Sequence, residues 1–256
     1  MEEHMFSYYG KLSTQLYDVT KPVGHSINGD IEYYLERLQG TKGKILEPAV
    51  GSGRFIIPLL NQGYDVDGID YSAHMLASCR KRCHERGLNP NLYEAHLSQF
   101  SLPEKYEAIV MPTGSFCLID EYDDAISALT NFYQHLVPGG RLIVDLQLPV
   151  DWHTGDISTI SYPLSNDEGI VLENKSIEID WVNQTTRSLL KYEKWRHGKL
   201  VDTELEEFVM RWYGIEEFSM LLEKIGFTQI TCSANYMFKK APSKETRLVT
   251  FEATRL

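Results

Sequence analysis

Apolar positions fall in short runs separated by polar turns, and the period of those runs changes along the chain. From Lys44, continuous apolar stretches alternate with amphipathic ones. "KILEPA" predicts a buried strand, "RFIIPLLNQG" a helix ended by glycine, and "YDVDGID" a second strand. "SAHMLASCRKRCHERG" predicts a helix with Ser72 as its N-cap and Gly87 just past its end. "NLYEAH" and "YEAIVMP" predict a third and a fourth strand. "EYDDAISALTNFYQHLVPGG" then predicts a helix closed by Pro-Gly-Gly, which feeds the strand "RLIVDLQL". Strands alternating with helices of this length imply right-handed crossovers and a parallel sheet.

The period then shortens to two. "ISTISYPL", "IVLENKSIEIDWV", "RSLLKYEKWRH" and "KLVDTELEEFVMRWY" follow one another as strand-like runs. "NQTT" and "HGK" sit between them as turn signals, so antiparallel hairpins are expected. Helix returns in "GIEEFSMLLEKIG", followed by the strands "FTQITCSANY" and "TRLVTFEAT". Residues 1–40 are rich in aromatics and predict short helices ahead of the main sheet. The expected fold is a doubly wound, mostly parallel α/β core at 41–150 and 214–256. An antiparallel β subdomain at 151–213 interrupts it after the fifth strand, and an N-terminal helical segment at 1–40 covers the site.

Charge narrows the partners. The 256 residues carry 36 acidic and 25 basic side chains, a formal charge of −11. "CRKRCHER" is the densest basic stretch, too short to follow a polyanion, so nucleic acid is not an expected partner. No basic segment runs into an apolar one near the N-terminus, and no apolar stretch reaches the ~20 residues that span a bilayer. With Cys79, Cys83, Cys117 and Cys232 as its only cysteines, the chain suits a reducing cytoplasm. Cys79 and Cys83 share a helix face and precede His84, but a metal site needs a second ligand cluster, so no metal is expected.

The glycine turn in "ILEPAVGSGRF" joins the first strand to the first core helix, the place where open α/β sheets bind ligands. Gly51 and Gly53 would let a ligand approach the backbone. Asp70 ends the second strand, where a carboxylate can accept from both hydroxyls of a ribose. A phosphate loop needs Lys then Ser/Thr after its glycines, whereas this one reads Gly53-Arg54-Phe55. A dinucleotide loop would place a third glycine at Ile56. Glu47, at the end of the first strand, would repel a pyrophosphate but would attract an ammonium. S-adenosylmethionine has a ribose, a sulfonium and an ammonium, and no phosphate, so it fits best.

These residues resemble the motifs of class I S-adenosylmethionine-dependent methyltransferases of the small-molecule type. "ILEPAVGSG" is similar to their first motif and "VDGIDYSAHML" to the second. "YEAHLSQFSLPEKYEAIVMPTGSF" resembles the third and fourth, and "HLVPGGRLIVD" the fifth. The similarity covers Tyr17 to Asp145 and resumes in "EEFSMLLEKIGFTQI". It implies a seven-stranded Rossmann-like sheet. It also implies Glu47 at the methionine ammonium and the backbone of Ala49, Gly51 and Gly53 along the methionine chain. Asp70 would hold the ribose, with Tyr71 and Met75 flanking the adenine. His96 and Leu97 would sit at the adenine edge, and Met111 on its far side or near the sulfonium. Tyr17, in a "YD" pair, would reach the cofactor carboxylate.

Two positions depart from the pattern. Ala49 replaces the first glycine, which is expected to require a negative φ there. His96 stands where the family commonly has an aspartate.

Methyl transfer is an in-line displacement, governed mostly by positioning. An amine acceptor needs alignment alone, whereas a hydroxyl needs a base, for which His25 and His153 are the candidates. "MPTGSF" stands where methyltransferases acting on the amino groups of DNA and protein often carry N/D-P-P-Y. The expected acceptor is therefore a small molecule, with N-methylation favoured over O-methylation. Trp152, Arg211 and Tyr213 are the substrate candidates, Arg211 and Tyr213 on one face of a strand and Trp212 on the other. The β insertion would serve as a substrate lid or a homodimer contact. The competing readings are a nicotinamide-dependent oxidoreductase, disfavoured by Ile56 and Glu47, and a non-catalytic scaffold that keeps the fold.

Overall fold

A computed structural model of the protein describes residues 5–256. The first four residues of the expected N-terminal segment lie outside the described residues. Two helices lead, α1 (Lys11–Thr20) and α2 (Asp30–Arg37). The core then runs β1 (Ile45–Pro48), α3 (Ile56–Asn61), β2 (Val66–Asp70), α4 (Ala73–His84), β3 (Leu92–Glu94) and β4 (Tyr106–Met111). A short 3₁₀ turn (Ser115–Leu118), α5 (Tyr122–His135) and β5 (Leu136–Gln147) follow. Four strands come next, β6 (Ile157–Pro163), β7 (Glu168–Asp180), β8 (Thr185–Arg196) and β9 (Lys199–Arg211). The chain closes with α6 (Ile215–Ile225), β10 (Phe227–Ala234) and β11 (Leu248–Arg255).

Seven strands form one sheet in the order β10-β11-β5-β4-β1-β2-β3, parallel except where β11 pairs antiparallel with β5 and β10. Every residue of β1 is buried, as a strand covered by helices on both faces must be. One face packs α5 and α6 through Phe132, Phe218 and Leu222; the other packs α2, α3 and α4 through Tyr34, Ile56 and Leu76. Ser72 caps α4, its hydroxyl accepting from Met75 N at 3.2 Å, and Gly87 beyond its end has φ +69°. Gly139 (φ +78°) does not end a helix in a loop; it lies within β5, which starts directly after α5, beside a register shift against β4.

The other four strands form a separate antiparallel meander, β6-β7-β8-β9. Helix α1 ties this sheet to the core. Its apolar face, Leu12 and Leu16, packs on Ile170 and Tyr192 of the meander. Its other side holds α4 through Asp18, which accepts from Ser78 Oγ at 2.6 Å and Arg82 Nη1 at 2.9 Å. Among the described residues no helix is long and apolar enough to cross a membrane.

Candidate active site

The carboxyl ends of β1 and β2 bring the two acidic candidates and the glycine turn together. Asp70 anchors the turn, its Oδ2 accepting from Gly51 N at 2.8 Å and its Oδ1 from Ser72 N at 2.8 Å. Burial pushes its pKa up, opposed by the backbone donors of Ser72, Gly51 and Tyr71. An ionised carboxylate offers about four acceptor positions, so two backbone bonds leave room for ribose hydroxyls. At Gly51 (φ +56°) a Cβ would point into open space, so the backbone faces the cleft uncovered. Gly53 (φ +88°) is constrained from behind instead: a Cβ there would lie 2.9 Å from Cys79 Sγ, and the residue packs onto α4.

Ala49 corrects the expectation of a negative φ: it sits at +54°, in the left-handed region. The turn needs that conformation because Val50 N must reach Ile69 O at 2.9 Å while the chain reverses off β1. An alanine there costs about 1–2 kcal/mol relative to the right-handed region.

Glu47 is 3% exposed, and its Oε2 is buried with no hydrogen-bond partner among the described residues. Burial pushes its pKa well up; the Arg54 guanidinium opposes this and Asp70 adds to it. Arg54 is held away by its own bonds, Nη2 to Asp30 Oδ2 at 2.6 Å and Nη1 to His25 O at 2.8 Å. An orphaned carboxylate oxygen in a buried site is costly, and an ammonium donor is the group it lacks. The donor set therefore fits S-adenosylmethionine.

A cleft of about 80 Å³ opens at this end of the sheet, lined by Tyr17, Ala49, Gly51, Asp70, Tyr71, Met75 and Leu97. Tyr8, Tyr9, Ser115 and Leu118 complete its wall; sequence reasoning missed these four as site residues, although the aromatic density of the N-terminus signalled the first two. Burial raises the Tyr17 pKa, and Arg54 opposes it. Tyr71 is exposed and stacks on His96 with ring centroids 3.8 Å apart, so these two rings stand together at the rim. Met111 is fully buried in the core and does not reach the cleft wall, because it ends a central strand covered on both faces.

A second cavity, of about 370 Å³, lies between the end of β5, the start of β11 and the end of β9. Trp152 and Arg211 line it, with Gln147, Met210, Trp212 and Arg247. Gln147 donates from its Nε2 to Thr113 O at 3.0 Å, so this cavity borders the loop that leads into the 3₁₀ turn whose Ser115 and Leu118 line the first. Tyr213 is elsewhere. It is 1% exposed and packs 5.8 Å from Phe116 and 5.3 Å from Phe218. Strict alternation fails there because β9 ends at Arg211, which lets Arg211 and Trp212 line the same cavity. His25 and His153 line neither cavity; His25 contributes its backbone carbonyl to Arg54, and the His153 ring lies exposed 3.7 Å from Asp156.

Residues 45–140 match a family described as a methyltransferase domain. A demethylmenaquinone methyltransferase from Thermus thermophilus is 32% identical over 115 residues, which span 44% of this chain and half of that relative. A dTDP-3-amino-3,4,6-trideoxy-α-D-glucopyranose N,N-dimethyltransferase from Streptomyces venezuelae is 27% identical over 101 residues, 40% of this chain and 41% of that protein. The sugar N-methyltransferase KedS8 from a Streptoalloteichus species superposes with a TM-score of 0.74 at 18% identity, covering the whole of this chain and 98% of the other, and shows the shared fold. The stretch 45–140 is thus similar to a methyltransferase domain, and the chain as a whole shares the fold of S-adenosylmethionine-dependent methyltransferases of known structure. S-adenosylmethionine is the cofactor of that domain.

Proposed function

We propose that the protein transfers the methyl group of S-adenosylmethionine to a small-molecule acceptor, N-methylation being favoured over O-methylation. The observation that carries this reading is the buried, unpartnered Glu47 Oε2 at the end of β1, beside Asp70 at the end of β2. Bound S-adenosylmethionine supplies an electrophilic methyl on a sulfonium. Glu47 accepts from its ammonium, Asp70 from its ribose, and Tyr17 reaches toward its carboxylate. The backbone from Ala49 to Gly53 follows the methionine chain. Met75, Leu97 and the Tyr71–His96 pair enclose the adenine, the two exposed rings parting to admit it. Tyr8 and Tyr9 close the cleft against water.

The larger cavity, bordering the loop into the 3₁₀ turn, receives the acceptor, with the β meander as its lid. Neither histidine candidate lines it, which supports an acceptor that needs alignment but no base, as a neutral amine does. The names of the sugar N-methyltransferase relatives point the same way. The test is product formation with matched acceptors that differ only in amine against hydroxyl. S-adenosylhomocysteine should accumulate with the amine; turnover confined to the hydroxyl would overturn the N-methylation reading.

A further inference from the structure

Arg211 occupies an unusual electrostatic position. It is 9% exposed, and among the described residues no carboxylate lies within ion-pair distance of it. Its Nε donates to the backbone carbonyl of Asp120 at 2.6 Å, which fixes the guanidinium without neutralising it. The Tyr122 ring lies 5.8 Å away. Asp180 is close enough to sense its charge, yet that carboxylate is spent on the turn after β7, where it accepts from Val182 N, Asn183 N and Asn183 Nδ2. Arg54, the other deeply buried arginine, has its partner in Asp30. A buried charge left unpaired is expensive, and a guanidinium offers two parallel donors that match a carboxylate or phosphate.

The surroundings of Arg211 supply the rest of a binding site. It lines the 370 Å³ cavity with the apolar walls of Trp152, Met210 and Trp212. Arg247 stands at the rim, paired with Asp151, so the cavity carries two arginines against one aspartate in a chain of net charge −11. We infer that the acceptor carries an oxyanion, a carboxylate or phosphate, which Arg211 holds at the floor of this cavity while a ring of the same molecule lies against Trp152 and Trp212. Arg247 exchanges Asp151 for the incoming anion at the entrance. This rests on the methyltransferase reading only for the word acceptor; the anion site itself stands on the cavity.

Tryptophan fluorescence of the full chain, with S-adenosylhomocysteine titrated first, tests the two separately. The probes are benzoate, phenyl phosphate and, as the neutral control, benzamide. At least one anion should bind tenfold or more tighter than benzamide, and the better of the two identifies the carboxylate or the phosphate. Arg211→Gln should erase that preference, Arg211→Lys should retain part of it, and both should bind S-adenosylhomocysteine as the wild type does. Equal binding of benzoate, phenyl phosphate and benzamide to the wild type would overturn the inference even if the variants failed to fold. A preference that survives in folded Arg211→Gln would overturn it too. Failure of S-adenosylhomocysteine to bind would strike the methyltransferase reading instead and leave the anion preference to be judged alone.

Discussion

Ala49 and Glu47 show how single residues set the terms of the cofactor site. Ala49 holds a φ of +54° that glycine reaches without a Cβ penalty. Ala49→Gly should therefore stabilise the fold by about 1 kcal/mol, the left-handed penalty less the extra entropy glycine brings to the unfolded chain. Urea unfolding measures this directly, and a loss of stability would show that the packing of the Ala49 methyl against the core outweighs the backbone penalty. Glu47→Gln should weaken S-adenosylhomocysteine binding by about 1–3 kcal/mol, because a buried carboxylate bonded to an ammonium is replaced by a neutral amide. Its folded pKa is raised, chiefly by burial, so the free protein keeps this proton above the usual carboxylate range, and an ammonium ligand must displace it. Cofactor affinity should accordingly rise with pH in the wild type and lose that dependence in Glu47→Gln, as calorimetry at several pH values would show.

Between elements, the β meander and the N-terminal segment hold each other. Glu204 on β9 accepts from Leu12 N at 2.9 Å and Ser13 N at 3.3 Å, so a strand carboxylate serves the open end of α1 where no side chain of its own does. Glu206, 1% exposed, accepts from Tyr9 N at 3.0 Å and Tyr192 OH at 3.1 Å. Glu204→Ala should cost about 1 kcal/mol, the usual loss for a helix cap, and should speed amide exchange at Leu12 and Ser13 before it affects the core. Exchange rates unchanged at those two amides would remove Glu204 from that role.

Asp145 plays a comparable part inside the core, joining β5, β11 and the loop after β4. It accepts from Thr250 Oγ1 at 2.6 Å, Tyr236 OH at 2.7 Å and Thr113 N at 2.6 Å. Burial outweighs these donors and pushes its pKa up to about 6. The folded state thus binds more protons than the unfolded chain between the ordinary aspartate range and pH 6, so this group's contribution to stability falls as pH rises through that window. Asp145→Asn lacks that step. The stability difference between variant and wild type should therefore move in the variant's favour from pH 4 to pH 6; a constant difference would contradict the assignment.

At the scale of the whole molecule, the order of the sheet explains what could be read in advance. The parallel core was legible because its strands are apolar on both faces and its helices carry their own punctuation, Ser72 and Gly87 for α4 being the clearest. The meander was legible from period and turn residues, since His197 and Gly198 both adopt positive φ between β8 and β9. Contacts between distant segments were not. The capping of α1 by Glu204 spans more than 190 residues, and no local pattern announces it. Tyr213 was misplaced because alternation assumes a continuing strand, whereas β9 ends at Arg211 and Trp212 makes one last bond to its neighbour strand, donating its N–H to Gln184 O at 3.0 Å. The φ of Ala49 follows from the reversal off β1 toward Ile69, a tertiary demand that overrides the residue's own preference.

The ends of β1 and β2 together form the site proposed for S-adenosylmethionine, and calorimetric titration of the wild type and Asp70→Ala with S-adenosylhomocysteine and with NADH puts that site to the test. One S-adenosylhomocysteine should bind per chain, NADH should not compete for the site, and Asp70→Ala should weaken the binding by about 1–3 kcal/mol through loss of hydrogen bonds to a charged group. Tight binding of NADH, or an S-adenosylhomocysteine affinity unchanged by Asp70→Ala, would contradict the account.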